Sequence, residues 1–408
     1  MPGRLCILTQ YFPPEMGAPQ VRLSELGERL IDRGWSVEAL TALPNYPTGR
    51  VFEGYDPKKP RVEHVGRIRT IRTPIWPSKG GFAKRIASYF SFVGSASLHG
   101  PRLCNRPDVL LVESPPLFIA YAAWRLSAAW GCPYVFNVSD LWPESAVRMG
   151  IVGADHPATS VATYLERASY WRAAGVTGQS QEIIDGVLDK APGTPVCLVT
   201  NGVDPSRFGS EHADEEARAL LGPEPGPVYV YAGLFGLAQG LDQILDAAQA
   251  MSDDTPGRFV LVGDGPVRGD LEARLRRDRI DRVKLVPPQP RERIPAILGA
   301  ADGAIITLGM NIPGAVPSKI YEAMASSLPI VLVASGEPAR RVEDAGCGVS
   351  VSVGDRAGLV AALERLGADA ALRQRLGQAG RAAAETTYNR DHIVGNLATF
   401  LDEIIGRQ

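Results

Sequence analysis

The sequence predicts an α/β protein with two consecutive parallel-sheet units, on the strength of three patterns. Short apolar runs, typical of buried strands, alternate with amphipathic stretches typical of helices. The alternation restarts near residues 191–199, where Pro and Gly cluster, so two units fit better than one continuous sheet. The last segment has helical periodicity with no strand after it. We therefore predict a first domain of residues 1–195, joined by the C-terminal helix 388–408, and a second of residues 196–387.

The first unit opens with a strand, RLCILTQYF, and a periodic helix, APQVRLSELGERLIDRG, that ends at Gly34. Further strands are predicted in WSVEALTAL, DVLLVES and PYVFNVSD, with the helix LFIAYAAWRLSAAWG between the last two. In the second unit the predicted strands are VYVYAG, RFVLVGDG, RVKLVPP, GAIITLG and PIVLVA, and helices such as LDQILDAAQAM and VRGDLEARLRRD follow most of them. This β-α-β order predicts parallel sheets covered by helices.

Residues 67–98 interrupt this order with a basic, aromatic stretch that has no acidic residue. Its cations are Arg67, Arg69, Arg72, Lys79, Lys84 and Arg85, and its aromatic residues are Trp76, Phe82, Tyr89, Phe90 and Phe92. One interpretation is a helix that lies on a membrane surface. The other is a helix that packs into the core and has a solvated basic end, because aromatic residues at helical spacing are usually buried.

Composition excludes several classes of protein. The chain has 408 residues and a formal net charge of −2, so no global attraction to nucleic acid is predicted. None of the five cysteines stands in a C-x-x-C pair, which favours a reduced, cytoplasmic protein. The N-terminal apolar stretch is too short for a signal peptide, and Arg125 interrupts the best candidate for a membrane span. The five histidines show no helical metal-ligand spacing, so a zinc site is not predicted.

Glycine-rich turns follow several predicted strands. In YFPPEMGAPQVR, Gly17 and Ala18 open a helix and Arg22 lies one turn further, which suits an anion or an ordinary Pro/Gly loop. The second unit has YAGLFGLAQG, with Gly233 and Gly236, and LVGDGP, with its two glycines around Asp264. Two such turns in one domain favour a nucleotide site. Neither has the G-x-G-x-x-G spacing of a dinucleotide fingerprint.

Lys319 and Glu322 are the unusual residues of an otherwise apolar helix. They could form an i,i+3 pair behind a Ser318 cap, worth a few tenths of a kcal/mol. The desolvation cost of burying two charges exceeds so small a stabilisation. The functional interpretation is that 314–318 and Lys319 hold a diphosphate, while Glu322 accepts hydrogen bonds from a ribose.

Six stretches carry a specific combined pattern: YFPPEMGAPQVRLSELGERLIDRGWSVEALT, SDLWPES, TNGVD, AGLFGLAQGLD, LVGDGP and VPSKIYEAMASSLPIV. With them the chain resembles, over nearly its whole length, the retaining glycosyltransferases of family 4. Members have the GT-B fold, in which two Rossmann-like domains face each other across a cleft and a C-terminal helix packs back on the first. The subgroup it most resembles is WbuB-like and builds bacterial surface polysaccharides.

The resemblance implies a nucleotide-sugar donor, with a UDP-sugar favoured, and retention of the anomeric configuration. It implies catalytic roles for Lys319, Asp140 and Arg22, with 201–204 at the interdomain cleft. For Asp140 a helix N-cap is the alternative. The implied donor-binding residues are Gly17, Ala18, Gly233, Gly236, Gln239, Gly263, Asp264, Gly265, Gln289, Gly314, Ala315, Val316, Ser318 and Glu322.

Three positions depart from the broad family pattern. Gly314 stands where many members have an acid, Leu234 and Gln239 where many have Arg and Lys, and Ser139 where many have His before the Asp. The WbuB-like subgroup shares these changes, so they indicate a variant site. They leave open which residue contacts the sugar hydroxyls. We expect Lys319, helped by Arg22, to neutralise the diphosphate.

The sequence therefore favours a hexosyl or N-acetylhexosaminyl transferase whose acceptor is a saccharide or a lipid-linked glycan. No cofactor or metal is predicted, because no D-x-D stands at a strand end. The basic segment 67–98 allows peripheral contact with the inner face of the membrane. Two alternatives stay open: an epimerase or hydrolase of nucleotide sugars, and a non-catalytic subunit that kept the fold. An NAD-dependent dehydrogenase is the least favoured, since the fingerprint is missing.

Overall fold

The chain divides into two compact units, which we describe separately from a computed structural model. The residues described are 3–78, 80–148, 150, 152–223, 225–252, 254–311 and 313–407, without the side chains of Ala18 and Phe82. The first unit runs to Thr200 and takes up the chain again from Ile393, and the second is Asn201–His392. Both are parallel-sheet α/β units, as the sequence predicts for the fold class.

The first unit is built on one sheet covered by helices. Its strands are β1 Arg4–Leu8, β2 Ser36–Ala42, β3 Arg61–Val65, β4 Ile68–Thr73, β5 Val109–Ser114, β6 Tyr134–Val138, β7 Gly175–Gly178 and β8 Val196–Leu198. Within the described residues these form an eight-stranded sheet in the order β3-β4-β2-β1-β5-β6-β7-β8. Because β8 pairs with β7, the change of unit falls after β8 rather than at residue 195.

The helices of the first unit enclose two apolar cores, one on each face of the sheet. They are α1 Ala18–Asp32, α2 Phe82–Leu103, α3 Ile119–Trp130, α4 Glu144–Arg148, α5 Pro157–Arg172 and α6 Gln181–Lys190. The last helix of the chain, Arg390–Gly406, contributes Leu397, Phe400 and Leu401 to the core that also holds Trp35. The C-terminal helix thus packs back on the first unit.

One strand of the first sheet runs against the others. The sequence pattern predicts a purely parallel sheet, but β3 pairs antiparallel with β4 at the sheet edge. A tight turn at Gly66 and Arg67 joins the two strands as a hairpin, so no crossover helix is needed. Alternation in β3 is weak, because an edge strand exposes most of its side chains.

The basic segment 67–98 divides into strand β4 and helix α2, and its arginines are used inside the unit. Arg67 pairs with Glu28 at 2.6 Å, and Arg69 pairs with Glu38 at 2.6 Å. Arg72 is fully buried and pairs with Glu63. The acids come from elsewhere in the chain, which the local pattern could not reveal.

These pairings weaken the membrane interpretation of 67–98. Phe92 is fully buried, whereas Phe90 is 44% and Trp76 59% exposed, and Lys79 lies outside the described residues. The core-packing interpretation therefore accounts for most of the segment. No helix in the described ranges is both long enough and apolar enough to cross a membrane.

The second unit has an all-parallel sheet within the described residues, in the order β11-β10-β9-β12-β13-β14. Its strands are β9 Val228–Ala232, β10 Arg258–Val262, β11 Val283–Val286, β12 Gly303–Thr307, β13 Ile330–Val333 and β14 Gly348–Val351. Its helices are α7 Glu215–Leu221, α8 Asp242–Ala250, α9 Arg268–Asp278, α10 Ile294–Gly299, α11 Lys319–Ala325, α12 Glu337–Asp344, α13 Arg356–Ala368 and α14 Ala370–Glu385, and the chain then enters α15 Arg390–Gly406. Two apolar cores again lie on the two faces.

The loops after β9 and β10 touch each other through two glycines. Gly263 has a backbone φ of 155°, and a Cβ placed there would lie 1.8 Å from the carbonyl oxygen of Gly233. The amide of Phe235 donates to the carbonyl of Asp264 at 2.8 Å and locks the two loops together. A side chain at Gly263 would force these backbones apart.

We predict that Gly263→Ala destabilises the protein by about 2–4 kcal/mol, from strained backbone and overpacking together. The matched control is Gly269→Ala, at a helical position where a Cβ meets no atom within 4 Å. That change should be neutral or stabilising by about 0.5–1 kcal/mol. Urea unfolding of the two variants measures the difference, and equal stabilities would contradict the tight loop contact.

Candidate functional site

In the first unit, polar side chains gather where β5 and β6 end. Glu113, near the end of β5, accepts hydrogen bonds from Nη2 of Arg22 on α1, at 2.7 and 2.8 Å. The same Nη2 donates to Oγ of Ser139, just after β6, at 2.9 Å. Ser139 in turn donates to Glu113. Carboxyl ends of parallel strands are where ligands bind in open α/β sheets, so this cluster is the candidate site of the first unit.

Three residues that the sequence analysis did not single out complete this cluster. Asn137 donates to Glu113, Gln179 donates to Ser139, and Thr177 donates to the Asn137 side chain at 2.6 Å. A signal was present, because polar residues end two apolar runs, in LLVES and FNVS. Without knowledge of the strand order, however, the sequence does not show that these polar residues lie next to each other.

The positive charge of Arg22 is already paired with the carboxylate of Glu113. Its side chain is 10% exposed and that of Glu113 is 4% exposed, so the pair is largely shielded from water. The predicted help of Arg22 in neutralising a diphosphate would therefore act against this carboxylate. The geometry favours a positioning role for Arg22 within the cluster.

Asp140 follows Ser139 and points its carboxylate back to the chain. Its Oδ2 accepts a hydrogen bond from the Ser145 hydroxyl at 2.8 Å. Burial raises the pKa of Asp140, and the hydrogen bonds from Ser145 and from the Leu141 backbone oppose the rise. Helix α4 begins only at Glu144, so Asp140 is not its N-cap residue. The simple N-cap interpretation therefore does not account for this carboxylate.

The loop before α1 is held by a buried acid, Glu15. Its carboxylate accepts the backbone amides of Phe12 at 3.1 Å and of Asn45 and Tyr46 at 2.8 Å each. Burial raises the pKa of Glu15, and the three amides offset part of the rise. Gly17 precedes α1 without a side-chain cap and Ala18 is its first residue. Whether they meet a ligand stays a prediction.

In the second unit, the side chain of Lys319, the first residue of α11, lies against the loop after β9. Its Nζ lies 5.2 Å from the centre of the Tyr231 ring. A Cβ on Gly233 would lie 2.4 Å from Lys319 Cε and 2.5 Å from Nζ, so the ammonium occupies the space that this glycine leaves open. Burial lowers the pKa of Lys319, and the charge of Glu322 opposes that effect.

The capping and pairing interpretation of this helix does not hold. Ser318, immediately before α11, makes no side-chain cap hydrogen bond. The structure describes both Lys319 and Glu322 and records no salt bridge between them. Their charges are therefore not explained by local helix stability.

Glu322 faces a small cavity of about 50 Å³. The cavity is also lined by Arg207, Arg291 and Arg390, and by Asp204. Burial raises the pKa of Glu322, while Lys319 and the three arginines oppose the rise. A carboxylate in a cavity with cationic neighbours can accept hydrogen bonds from hydroxyl groups.

The other predicted donor residues lie in loops that follow strands of the second sheet. Asp264 is exposed and accepts the amide of Gly265 at 2.8 Å. The carbonyl of Gln239 accepts the Thr307 hydroxyl at 2.7 Å, and the Gln289 amide donates to the Pro287 carbonyl at 3.2 Å. The remaining ones are Gly236, Gly314, Ala315 and Val316, all buried or half-buried.

Direct contacts join only part of this predicted set. The Gly233 loop contacts Gly263 and Lys319, and a Cβ on Gly265 would lie 2.3 Å from the carbonyl oxygen of Phe235. The bonds recorded for Gln289 are local. Among the described residues, no group of three or more His, Cys, Asp or Glu residues is placed to hold a metal ion.

Both halves of the chain match glycosyltransferase family models. Residues 17–202 match the "Glycosyl transferase 4-like domain", and residues 213–383 match "Glycosyl transferases group 1".

Curated relatives share about a quarter of their residues with the chain. A protein of Escherichia coli K12, named as a candidate colanic acid biosynthesis glycosyl transferase, WcaI, is 26% identical over 77% of this chain and 79% of its own. The D-inositol 3-phosphate glycosyltransferase of Salinispora arenicola is 26% identical over 99% of this chain and 92% of its own.

Solved structures share the fold. Sucrose-phosphate synthase from Thermosynechococcus elongatus has a TM-score of 0.78 at 20% identity and covers 99% of this chain and 100% of its own. Anabaena HepE, solved with UDP and glucose, has a TM-score of 0.71 at 18% identity over 98% of this chain and 100% of its own.

We predict that Lys319→Met melts at or above the wild-type temperature at pH 7, because it removes a charge whose burial is unfavourable. The pKa of Lys319 in the folded protein lies below its ordinary value of 10.5. Between these two pKa values the unfolded chain binds more protons, so wild-type stability rises with pH.

The advantage of Lys319→Met should therefore shrink as the pH rises towards 10.5. Melting curves from pH 7 to 10 measure it, with Lys58→Met, at an exposed position, as the matched control. A Lys319→Met protein that melts well below wild type at pH 7 would show that the ammonium stabilises the fold.

Proposed function

The chain belongs to the glycosyltransferases of GT-B fold, with a glycosyl transferase 4-like domain ahead of a group 1 domain, and we propose that it transfers a sugar from a nucleotide-diphosphate donor with retention of configuration. The donor is a UDP-sugar carrying a hexose or an N-acetylhexosamine. The acceptor is a saccharide or a lipid-linked glycan.

The observation that carries the proposal is the placement of Lys319. An ammonium group lies in the gap left by Gly233, half-buried and without a salt bridge to Glu322, in a glycine-rich loop region. A partly desolvated cation suits a diphosphate, since the anion restores the charge balance that burial disturbs. Glu322 lies one turn further along α11, where a ribose diol can reach its carboxylate.

In the proposed reaction Lys319 stabilises the negative charge that develops on the departing nucleoside diphosphate. The leaving phosphate oxygen takes the proton of the acceptor hydroxyl, so the protein needs no strong base. Asp140 orients the sugar or the acceptor, and Arg22 keeps Ser139 in place beside it. No metal is required by this scheme, because the lysine supplies the positive charge.

The preference for UDP and for a surface glycan draws on relatives. HepE was solved with UDP and with UDP-glucose, and the WcaI relative is named for colanic acid biosynthesis. Both statements concern those proteins, and the WbuB-like resemblance of this chain points the same way. Contact of α2 with the inner face of the membrane is part of the same proposal.

A thermal-shift titration without added metal tests the donor site. UDP, GDP, dTDP, CMP and NADH are compared, and UDP alone should raise the melting temperature, because binding to the folded state stabilises it by about 2.7 kcal/mol at 100 times Kd. Glu322→Ala should lose the shift, whereas Glu385→Ala, at an exposed position, should keep it. No shift with any nucleotide would favour the non-catalytic subunit.

Turnover tests the roles of the charged groups. Lys319→Ala should reduce kcat by about 100-fold or more, the scale seen when one charge-stabilising group is removed. Asp140→Asn should also reduce it, and near-normal turnover in Asp140→Asn would reduce this residue to a structural role. Product analysis by NMR, with and without acceptor, should show an acceptor-dependent glycoside with retained configuration. Free or epimerised sugar as the main product would instead favour the hydrolase or epimerase.

A further inference from the structure

Aromatic rings form a continuous line on the first unit, from the loop after β6 to the surface of α2 and α3. Trp142, two residues after Asp140, lies 6.3 Å from the Phe118 ring centre. Phe118 lies 4.9 Å from Phe90, and Phe90 lies 6.1 Å from Tyr121. Phe90 and Tyr121 are 44% and 41% exposed. We name these four residues the aromatic track.

The inner end of the aromatic track opens into a cavity of about 100 Å³. Its walls come from α2, from α4 and from the loops that follow β5 and β6. The lining residues are Arg85, Ile86, Tyr89, Pro115, Pro116, Leu117, Phe118, Trp142 and Ala146. The cavity therefore lies at the carboxyl edge of the sheet, where ligands of open α/β units bind.

The lining of this cavity discriminates between a sugar and a hydrocarbon. Of the lining side chains, only the Arg85 guanidinium, the Tyr89 hydroxyl and the Trp142 indole N–H carry polar atoms. A saccharide would leave most of its hydroxyl groups without partners there, which is costly once water is displaced. An aliphatic chain has no such requirement, and aromatic rings offer it apolar surface.

Arg85 supplies one charge at this apolar cavity. It is exposed and stands near the start of α2. Burial raises the pKa of Tyr89 and of Tyr11, which lies in the loop after β1, and the positive charge of Arg85 opposes both rises. A guanidinium beside an apolar cavity matches an amphiphile with a phosphate head, because it pairs with phosphate oxygens in a bidentate manner.

We propose that the aromatic track and its cavity bind the acceptor of this transferase as a lipid phosphate, with the aliphatic chain on the rings and the phosphate or diphosphate on Arg85. The inference rests on the proposed function and narrows its acceptor from a saccharide or a lipid-linked glycan to the lipid-linked glycan. It also makes Phe118 and Trp142 specificity-determining residues.

Binding of farnesyl phosphate, kept below its micelle concentration, tests the aromatic track by calorimetry. Farnesol and inorganic phosphate are the separate arms for the two parts of the probe. The wild-type protein should bind farnesyl phosphate at least about tenfold more tightly than either. Equal affinity for farnesyl phosphate and farnesol would overturn the assignment of Arg85, and no binding of farnesyl phosphate would overturn the whole proposal.

Variants locate the binding. Phe118→Ala and Phe90→Ala should each weaken farnesyl phosphate binding by about tenfold, and Arg85→Gln should weaken it without changing the affinity for farnesol. Tyr164→Ala removes a ring that is 73% exposed on α5 and outside the track, and should have no effect. Equal losses in Tyr164→Ala and Phe90→Ala would mean nonspecific adsorption and overturn the proposal.

The thermal shift with UDP is measured on every variant. It verifies folding, and it separates the two claims. A protein that shifts with UDP and transfers sugar to a lipid-free saccharide, but does not bind farnesyl phosphate, contradicts the aromatic track alone. A protein that binds farnesyl phosphate through the track but neither binds nor turns over a nucleotide sugar contradicts the proposed function alone.

Discussion

The contact between the loops after β9 and β10 sets the position of the groups to which we assign the donor. Gly263 can lie against the carbonyl oxygen of Gly233 because neither residue has a side chain. Gly233 in turn leaves the space in which the Lys319 ammonium lies, above the Tyr231 ring. A larger residue at Gly263 would displace the Gly233 backbone, and a larger residue at Gly233 would displace the Lys319 side chain. The candidate donor site of the second unit therefore depends on the absence of side chains at these two glycines as much as on the side chains present.

The cluster around Glu113 and the residues Lys319 and Glu322 treat buried charge in different ways. In the first, Arg22 and Glu113 neutralise each other, and Ser139 accepts a hydrogen bond from Arg22 and donates one to Glu113. In the second, burial lowers the pKa of Lys319 and raises that of Glu322, so both charged forms are held at a cost. Neutral networks fix geometry, whereas disfavoured charges are stabilised when a complementary ligand arrives. The contrast supports a positioning role for the cluster around Glu113 and an anion-binding role for Lys319.

Much of the fold could be predicted from the sequence, because apolar runs and helical periodicity depend on local spacing. Lys319 and Glu322 could be singled out for the same reason, as charges inside an apolar helix. The β3 hairpin could not, since an edge strand has little alternation to recognise. Nor could the Arg72–Glu63 pair or the cluster around Glu113, because their members are brought together only by strand order. The partners of Arg67, Arg69 and Arg72 were missed for the same reason, because Glu28, Glu38 and Glu63 meet these arginines only in the folded unit.

Helix α15 begins in the second unit and ends in the core of the first. Its start is held by Arg390, which donates to the carbonyls of Asn201 and Gly202, and its later turns bury Leu397, Phe400 and Leu401 beside Trp35. During synthesis on the ribosome, the first two hundred residues emerge early but lack this covering. The unit that is translated first is thus completed last, when the final turns leave the exit tunnel. Until then the part of this core that Leu397, Phe400 and Leu401 complete is exposed, and a chain that stops short of α15 lacks it.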